Sequence, residues 1–190
     1  MSLRHVLASS ACLAALALSG ANAASASAES SPACPGEDLQ PTAQNLAAAG
    51  DATLCLVNHE RSRRGLASLT PVGSLTTVAD AYARRMARDN FFDHTAPNGS
   101  TFIARIRSTT YLTGGVRSWS VGENLAWGTG DLATPQAIVA SWMKSAGHRH
   151  NILTPAFREL GLGIAVGAPQ GGIADHTGAT YVNEFGERHR

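Results

Sequence analysis

Two stretches, V-G-E-N-L-A-W-G at residues 121–128 and W-M-K-S-A-G-H-R-H-N at residues 142–151, decide the reading of this chain. An extended segment is expected from Trp119 to Trp127, carrying Glu123 and Asn124. Thr134-Pro135 then starts a helix. Threonine at the cap offers an oxygen to unpaired amides, and proline at the first helical position sacrifices no hydrogen bond. Ile138, Val139, Trp142 and Met143 form the apolar face of that helix, and Gly147 is its expected stop. His148 would then sit just past a helix end, where an imidazolium favours the negative end of the dipole. A second histidine, His94, lies upstream in F-F-D-H-T-A-P-N-G. The central hypothesis is that the fold brings His94, Glu123 and His148 to one cleft.

Working outward, the chain turns helical from about Thr42, and Asp51 can cap a helix through Leu54, Val57 and Arg61 to a stop at Gly65. Ser74 is the expected cap of the next helix. Leu75, Val78, Ala79, Tyr82, Ala83 and Met86 recur along one of its faces, so it is a surface helix with one buried stripe, ending near Asn90. Thr101 to Arg107 reads as a short helix with Phe102, Ile103 and Ile106 inward. Leu160, Leu162, Ile164 and Val166 alternate with small residues, the pattern of a strand buried on one face and closely approached on the other. Thr180 to Phe185 is the last strand. Helices precede strands without β-α alternation, which predicts an α+β fold with an antiparallel sheet.

The net charge of +1 is close to neutral, and nothing resembles a nucleic-acid footprint, which needs a clustered basic face. Arg61, Arg63 and Arg64, and likewise Arg84, Arg85 and Arg88, read as solvated helix faces. The N-terminus has a secretory pattern: Arg4 and His5, an uncharged core from Val6 to Leu18, then Ala21-Asn22-Ala23 at a cleavage site, with Ala26-Ser27-Ala28 as an alternative. That core is shorter than the roughly 20 residues of a membrane span. The expected organisation is a signal peptide over 1–23, a flexible arm over 24–50 and one domain over 51–190, in an extracellular, monomeric protein. Cys12 goes with the leader. Cys34 and Cys55 remain, an even number in an exported chain, so a disulfide is expected between them, tying the arm to the first long helix. The chain-entropy argument gives such a loop roughly 3 kcal/mol.

The motifs N-H-E-R-S-R-R-G from Asn58, D-H-T at Asp93, G-E-N-L-A at Gly122, W-M-K-S-A-G-H-R-H-N-I-L at Trp142 and E-L-G-L-G-I-A at Glu159 occur in one order. With the alanine-rich helix carrying Ala79 and Ala83, the stretch from Leu54 to Gly186 resembles the CAP superfamily of cysteine-rich secretory, antigen-type and pathogenesis-related proteins, the SCP domain, in its bacterial branch. The resemblance implies a three-layer α-β-α sandwich around a central antiparallel sheet. It also implies a cleft lined by two histidines and two glutamates. By motif, His94, Glu123 and His148 match three of the four. The segment after Trp142 offers Lys144 and Ser145 where the second glutamate is sought, and Glu184, where bacterial members often carry glutamine, is an extra acid.

Two imidazoles and a carboxylate form a known ligand set for a divalent transition metal, zinc foremost, and a bound metal could activate water for hydrolysis. Their spacing is long and non-local, unlike H-E-x-x-H, where one helix fixes both histidines. Each member also has a structural reading: Glu123 as an acceptor for backbone donors at a strand end, His148 as a helix-end cation, His94 as a hydrogen-bonder in a turn. Asn124 and Asn151 are read as supporting residues. His59, His150, His176 and His189 are read as surface or outer residues, Trp119, Trp127 and Trp142 as core or cleft wall, and Arg158 with Glu159 as a surface pair. No G-x-S-x-G elbow is present, and paired cysteines offer no thiolate. Three functions stay open: a secreted binding module for a metal, lipid or cell-envelope ligand; a metal-assisted hydrolase on His94, Glu123 and His148; and a structural domain. With no place for the second glutamate, the reading leans away from an enzyme.

Overall fold

A computed structural model describes residues 34–169 and 178–190. The expected signal peptide, Cys12, the first part of the arm and His176 lie outside the described residues.

Helix α1 spans Leu46–Ser62. It begins ahead of Asp51, so residues 46–50, expected in the arm, belong to the domain. Asn45 rather than Asp51 takes the cap position, and its side chain folds back to accept from Thr42 N–H at 2.7 Å. Cys34 is bonded to Cys55 with a Cα–Cα separation of 5.7 Å, so the arm is stapled to α1 as expected. A two-residue strand β1, Thr70–Pro71, leads into α2, Gly73–Asp89. Val72 precedes this helix, and Ser74 lies inside its first turn instead of capping it. The stripe Leu75, Val78, Ala79, Tyr82, Ala83 and Met86 is buried as its spacing predicts. Asn90 closes α2 in the left-handed conformation at φ 52°, where an amide side chain is tolerated.

Thr101 caps α3, Phe102–Arg107, by accepting from Ala104 N–H. Strand β2 then runs Ser118–Thr129, and a 3-10 turn over Gly130–Ala133 leads to α4, Pro135–Lys144, whose Thr134 cap and initial proline match the sequence reading. Gly147 does not stop this helix. The break comes at Ser145, and Gly147 lies within a further helix, α5, Ala146–Leu153. Strands β3, Glu159–Val166, and β4, Gly178–His189, complete the chain.

The four strands form one sheet in the order β1-β3-β4-β2. Both long pairings are antiparallel, but β1 runs parallel to β3, so the sheet is mixed at that edge. One face packs against α1, α4 and α5 through Val57, Ile138, Trp142, Ile152, Leu160, Ile164 and Phe185. The other packs against α2 through Tyr82, Ala83, Met86, Leu125, Ala165 and Val182. This is the α-β-α sandwich. The small residues of β3 have a specific use: a β-carbon on Gly161 or Gly163 would overlap the backbone of Leu75 or Ala79, so α2 lies directly on the strand.

One arginine departs from its expected place. Arg61 is fully buried rather than solvated. Its guanidinium donates to the carbonyls of Ala67 at 2.8 Å, Ile152 at 2.7 Å, Thr154 at 3.1 Å and Phe157 at 2.9 Å. It thereby knots the end of α1 to the α5–β3 connector. Its neighbours Arg63 and Arg64 are exposed and pair with Glu60, as a solvated face should. Glu159 likewise does not pair with Arg158. It binds Arg188 at 3.1 Å and the hydroxyl of Tyr111 at 2.5 Å, while Arg158 donates to the carbonyls of Pro155 and Phe157. Among the described residues no helix is long and apolar enough to cross a membrane.

Candidate functional site

Glu123 sits in the middle of β2, not at a strand end, and its side chain is fully buried. Side chains alternate across a strand. Leu125 packs on the α2 face, so Glu123 shares that face. It leaves Asn124 on the face that holds α5. From the loop after α2, the His94 ring brings Nδ1 to 2.8 Å from Glu123 Oε1. From α3, Arg105 donates to Glu123 Oε2 at 2.5 Å. Both carboxylate oxygens are therefore engaged by side chains.

Arg105 is the residue the sequence did not single out. Besides Glu123 it donates to the carbonyls of His94 and Ser100, and its guanidinium carbon lies 3.3 Å from the centre of the Tyr82 ring. A cation over an aromatic face in a desolvated setting is worth about 2 kcal/mol. Tyr82 is itself held by donating to the Asp93 carbonyl at 2.6 Å, which ties α2 to the His94 loop. Burial pushes the Tyr82 hydroxyl up to about 12, so it stays a proton donor. Nothing in the sequence separates Arg105 from Arg107, which turns outward toward Trp119.

Glu184 is the second buried acid. In the β2–β4 register it stands directly opposite Glu123, and it has no exposed surface. Neither of its oxygens meets a donor among the described residues. Directly paired residues of an antiparallel sheet hold their side chains within about 5 Å of each other. Two carboxylates so placed, with one guanidinium bound to Glu123 alone, disfavour each other's ionisation. Burial, then the charge of Glu123, raises the Glu184 pKa well above the carboxylate range, and a neutral Glu184 can donate its proton to Glu123. One of the two orphaned oxygens is explained if this carboxyl carries its own hydrogen.

His148 comes to the site from the other side of β2. It is the third residue of α5, so it lies near a helix N-terminus rather than past a C-terminus, and the dipole reading does not apply. Its carbonyl accepts from Asn124 Nδ2 at 3.0 Å. Asn151 donates to the Glu123 carbonyl at 3.1 Å and to Asn124 Oδ1 at 2.8 Å, so the two asparagines lock α5 onto β2. The imidazoles titrate in opposite senses. The hydrogen bond to Glu123 raises the His94 pKa against the cost of desolvation. Burial, and then the charge of His94, lowers that of His148. Among the other histidines, His59 is half-buried, and His150 and His189 are exposed. Trp142 is core, its indole N–H on the Leu125 carbonyl, whereas Trp119 and Trp127 are surface residues rather than core.

A divalent ion held directly by Glu123 would have to displace side chains already bound to it. The carboxylate that would bind it already holds an imidazole and a guanidinium, and the guanidinium supplies the positive charge at its second oxygen. Among the described residues no three His, Cys, Asp or Glu side chains gather as a metal-binding group.

The sandwich thus carries Glu123 on its edge strand β2 with His94 beside it, and His148 on α5. The profile described as the cysteine-rich secretory protein family, CAP, matches residues 54–182, and the chain belongs to that family. It is similar to YkwD of Bacillus subtilis strain 168, 36% identical over 108 residues that make up 57% of this chain and 39% of that protein. Among solved structures it resembles an extracellular SCP-domain protein of Bacillus anthracis, at 26% identity and a TM-score of 0.56, over 76% of this chain and 40% of that one. An outer surface protein of Borrelia burgdorferi shares the fold at 20% identity and a TM-score of 0.58, over 72% of this chain and 90% of that one. The chain thus spans less than half of YkwD and of the Bacillus anthracis protein.

Proposed function

We propose that this chain is an exported binding module whose cleft meets a cell-envelope ligand through His94 and His148, with no chemistry of its own. One observation carries the reading. Glu123 has both oxygens engaged inside the protein, and the neighbouring acid Glu184 is sealed from solvent with its pKa raised by burial, so neither carboxylate is presented to the surface. The half-exposed imidazoles remain at the surface. With Nδ1 of His94 held by Glu123, its Nε2 is the atom left for a ligand acceptor. Export accords with the leader-like N-terminus, the Cys34–Cys55 disulfide and the extracellular and surface settings of the similar proteins.

Co-sedimentation of the protein with purified cell-wall sacculi, and separately with anionic lipid vesicles, tests the reading. Retention on one of them that falls several-fold in a folded His94→Ala/His148→Ala variant supports it. Equal retention of wild type and variant, or none on either material, overturns it. A calorimetric zinc titration probes the rival hydrolase reading. Binding at about 1 μM or tighter, about −8 kcal/mol, lost in both single variants while they stay folded, would replace the module with a metal centre.

A further inference from the structure

The two edges of the sheet are finished differently. At the edge opposite β2, strand β1 pairs with β3 only at Thr70 with Glu159 and Pro71 with Leu160. The chain then leaves into α2 at Gly73, while β3 continues to Val166. The direction of the free peptide groups follows from two hydrogen bonds. Val72 N–H donates to the Leu160 carbonyl at 2.9 Å, on the β1 side, and Gly167 N–H donates to the Gly178 carbonyl at 2.7 Å, on the β4 side. By strand alternation Leu162 and Ile164 point their amides and carbonyls the way Leu160 does, toward the place β1 has vacated. Among the described residues no backbone group meets them there.

That edge borders a groove. Two adjoining cavities of about 390 and 610 Å³ share Leu46, Arg84 and Ile164 and together follow β3 from Leu160 to Gly167. Helix α1 makes one wall and α2 the other, with Leu162 and Ile164 as an apolar floor. Charge lines it too: Asp51, Asp80 and Arg84 border the part that reaches Leu160, and Arg84 and Arg88 the part that reaches Gly167, with Arg84 3.6 Å from Asp80 and Arg88 2.7 Å from Asp89. An acyl chain could fill such a space, but it would take water from the Leu162 and Ile164 peptide groups and return no partner, a loss of about 1–3 kcal/mol for each group. A polypeptide strand fills the space and satisfies the groups together.

We propose that this groove binds an extended peptide of a partner protein, added to the free edge of β3 in the direction of β1. The peptide has apolar side chains at alternate positions, a basic residue over Asp51 and Asp80, and an acidic residue over Arg84 and Arg88. The site lies at the far sheet edge from the His94 cleft and does not depend on its reading.

The probe is acetyl-Lys-Ile-Thr-Val-Thr-Glu-amide, titrated into the disulfide-intact protein and followed by amide NMR and hydrogen exchange. The expected result is a Kd of about 100 μM, slowed exchange at Leu162 and Ile164, and no change at His94. N-methylating alternate amides of the peptide should weaken binding at least about tenfold, because strand addition needs those donors. An Asp80→Lys/Arg84→Glu variant, changed only at the helix surface, should prefer the charge-reversed peptide. No binding at millimolar peptide, equal binding of the N-methylated peptide, or binding of a fluorescent long-chain fatty acid where no peptide binds would each overturn the proposal.

Discussion

Arg61 and Arg105 are both drawn out of solvent, and their partners differ in kind. Arg61 meets four neutral carbonyls and no carboxylate. Its charge is dispersed over backbone dipoles of the α5–β3 connector, and burial, with Arg158 nearby, lowers its pKa. Arg105 meets a carboxylate, an aromatic face and two carbonyls beside a half-exposed histidine. The first arginine fixes a chain path. The second sets the charge balance of a site that faces water. Guanidinium burial alone therefore does not mark function; the titratable groups around it do.

The largest effect should come from Arg61. Arg61→Ala leaves buried carbonyls without donors and should cost about 3–5 kcal/mol in a urea denaturation series. Arg61→Lys should recover less than half of that loss, since an ammonium does not present the fork. Arg105→Met should cost less, about 2–3 kcal/mol, because part of its environment is wet and His94 still holds Glu123. It has a second readout that Arg61 lacks. The charge of Arg105 lowers the His94 pKa, so the imidazole midpoint measured by NMR should rise in this variant, and it should fall in Glu123→Gln, which removes the main cause of the rise. An unmoved midpoint in both would erase the distinction between the two arginines.

Glu184→Gln should change stability by less than about 1 kcal/mol in acid, below the unfolded carboxyl pKa, where the amide replaces a carboxyl that is neutral in both the folded and the unfolded chain. Its effect lies in pH dependence. The folded pKa of Glu184 is raised above the unfolded value. Its contribution is thus fully present below the unfolded carboxyl pKa and is lost as pH climbs through the folded one. Denaturation midpoints followed from acid to alkaline pH should fall more in the wild type than in Glu184→Gln, and parallel curves would refute a protonated Glu184. The smallest effect belongs to Arg63, whose exposed partner Glu60 is 3.9 Å away. Arg63→Ala should stay within about 0.5 kcal/mol, beside the large loss two positions earlier.

The sequence made the frame legible where local chemistry dictates it. The Thr134-Pro135 start, the buried stripe of α2 and the small-residue alternation of β3 all appear in the structure. The ends of elements were harder to read. Gly147 suggested a stop, but α4 breaks at Ser145 and a new helix starts, which moved His148 from one end of a dipole to the other. At the site, motif order pointed to His94 and Glu123. Arg105 and the neutrality of Glu184 depend on cross-strand register and on what α3 lands against. Both are long-range facts that no local spacing carries. Arg61 was misread for the same reason: next to Arg63 and Arg64 it has the pattern of a solvated run, and only the connector folding over it reveals four acceptors.

The contact of α2 with Gly161 and Gly163 has a consequence for a residue neither glycine touches. Tyr82 stands one turn beyond Ala79 on α2, and its ring is the shelf on which Arg105 rests. The two absent methyl groups act as a shim of zero thickness: they set how low α2 rides, hence how high that shelf stands beneath Glu123. The calibration of the charged cluster at the β2 edge thus resides in part in β3, two strands away, at positions with no side chain at all.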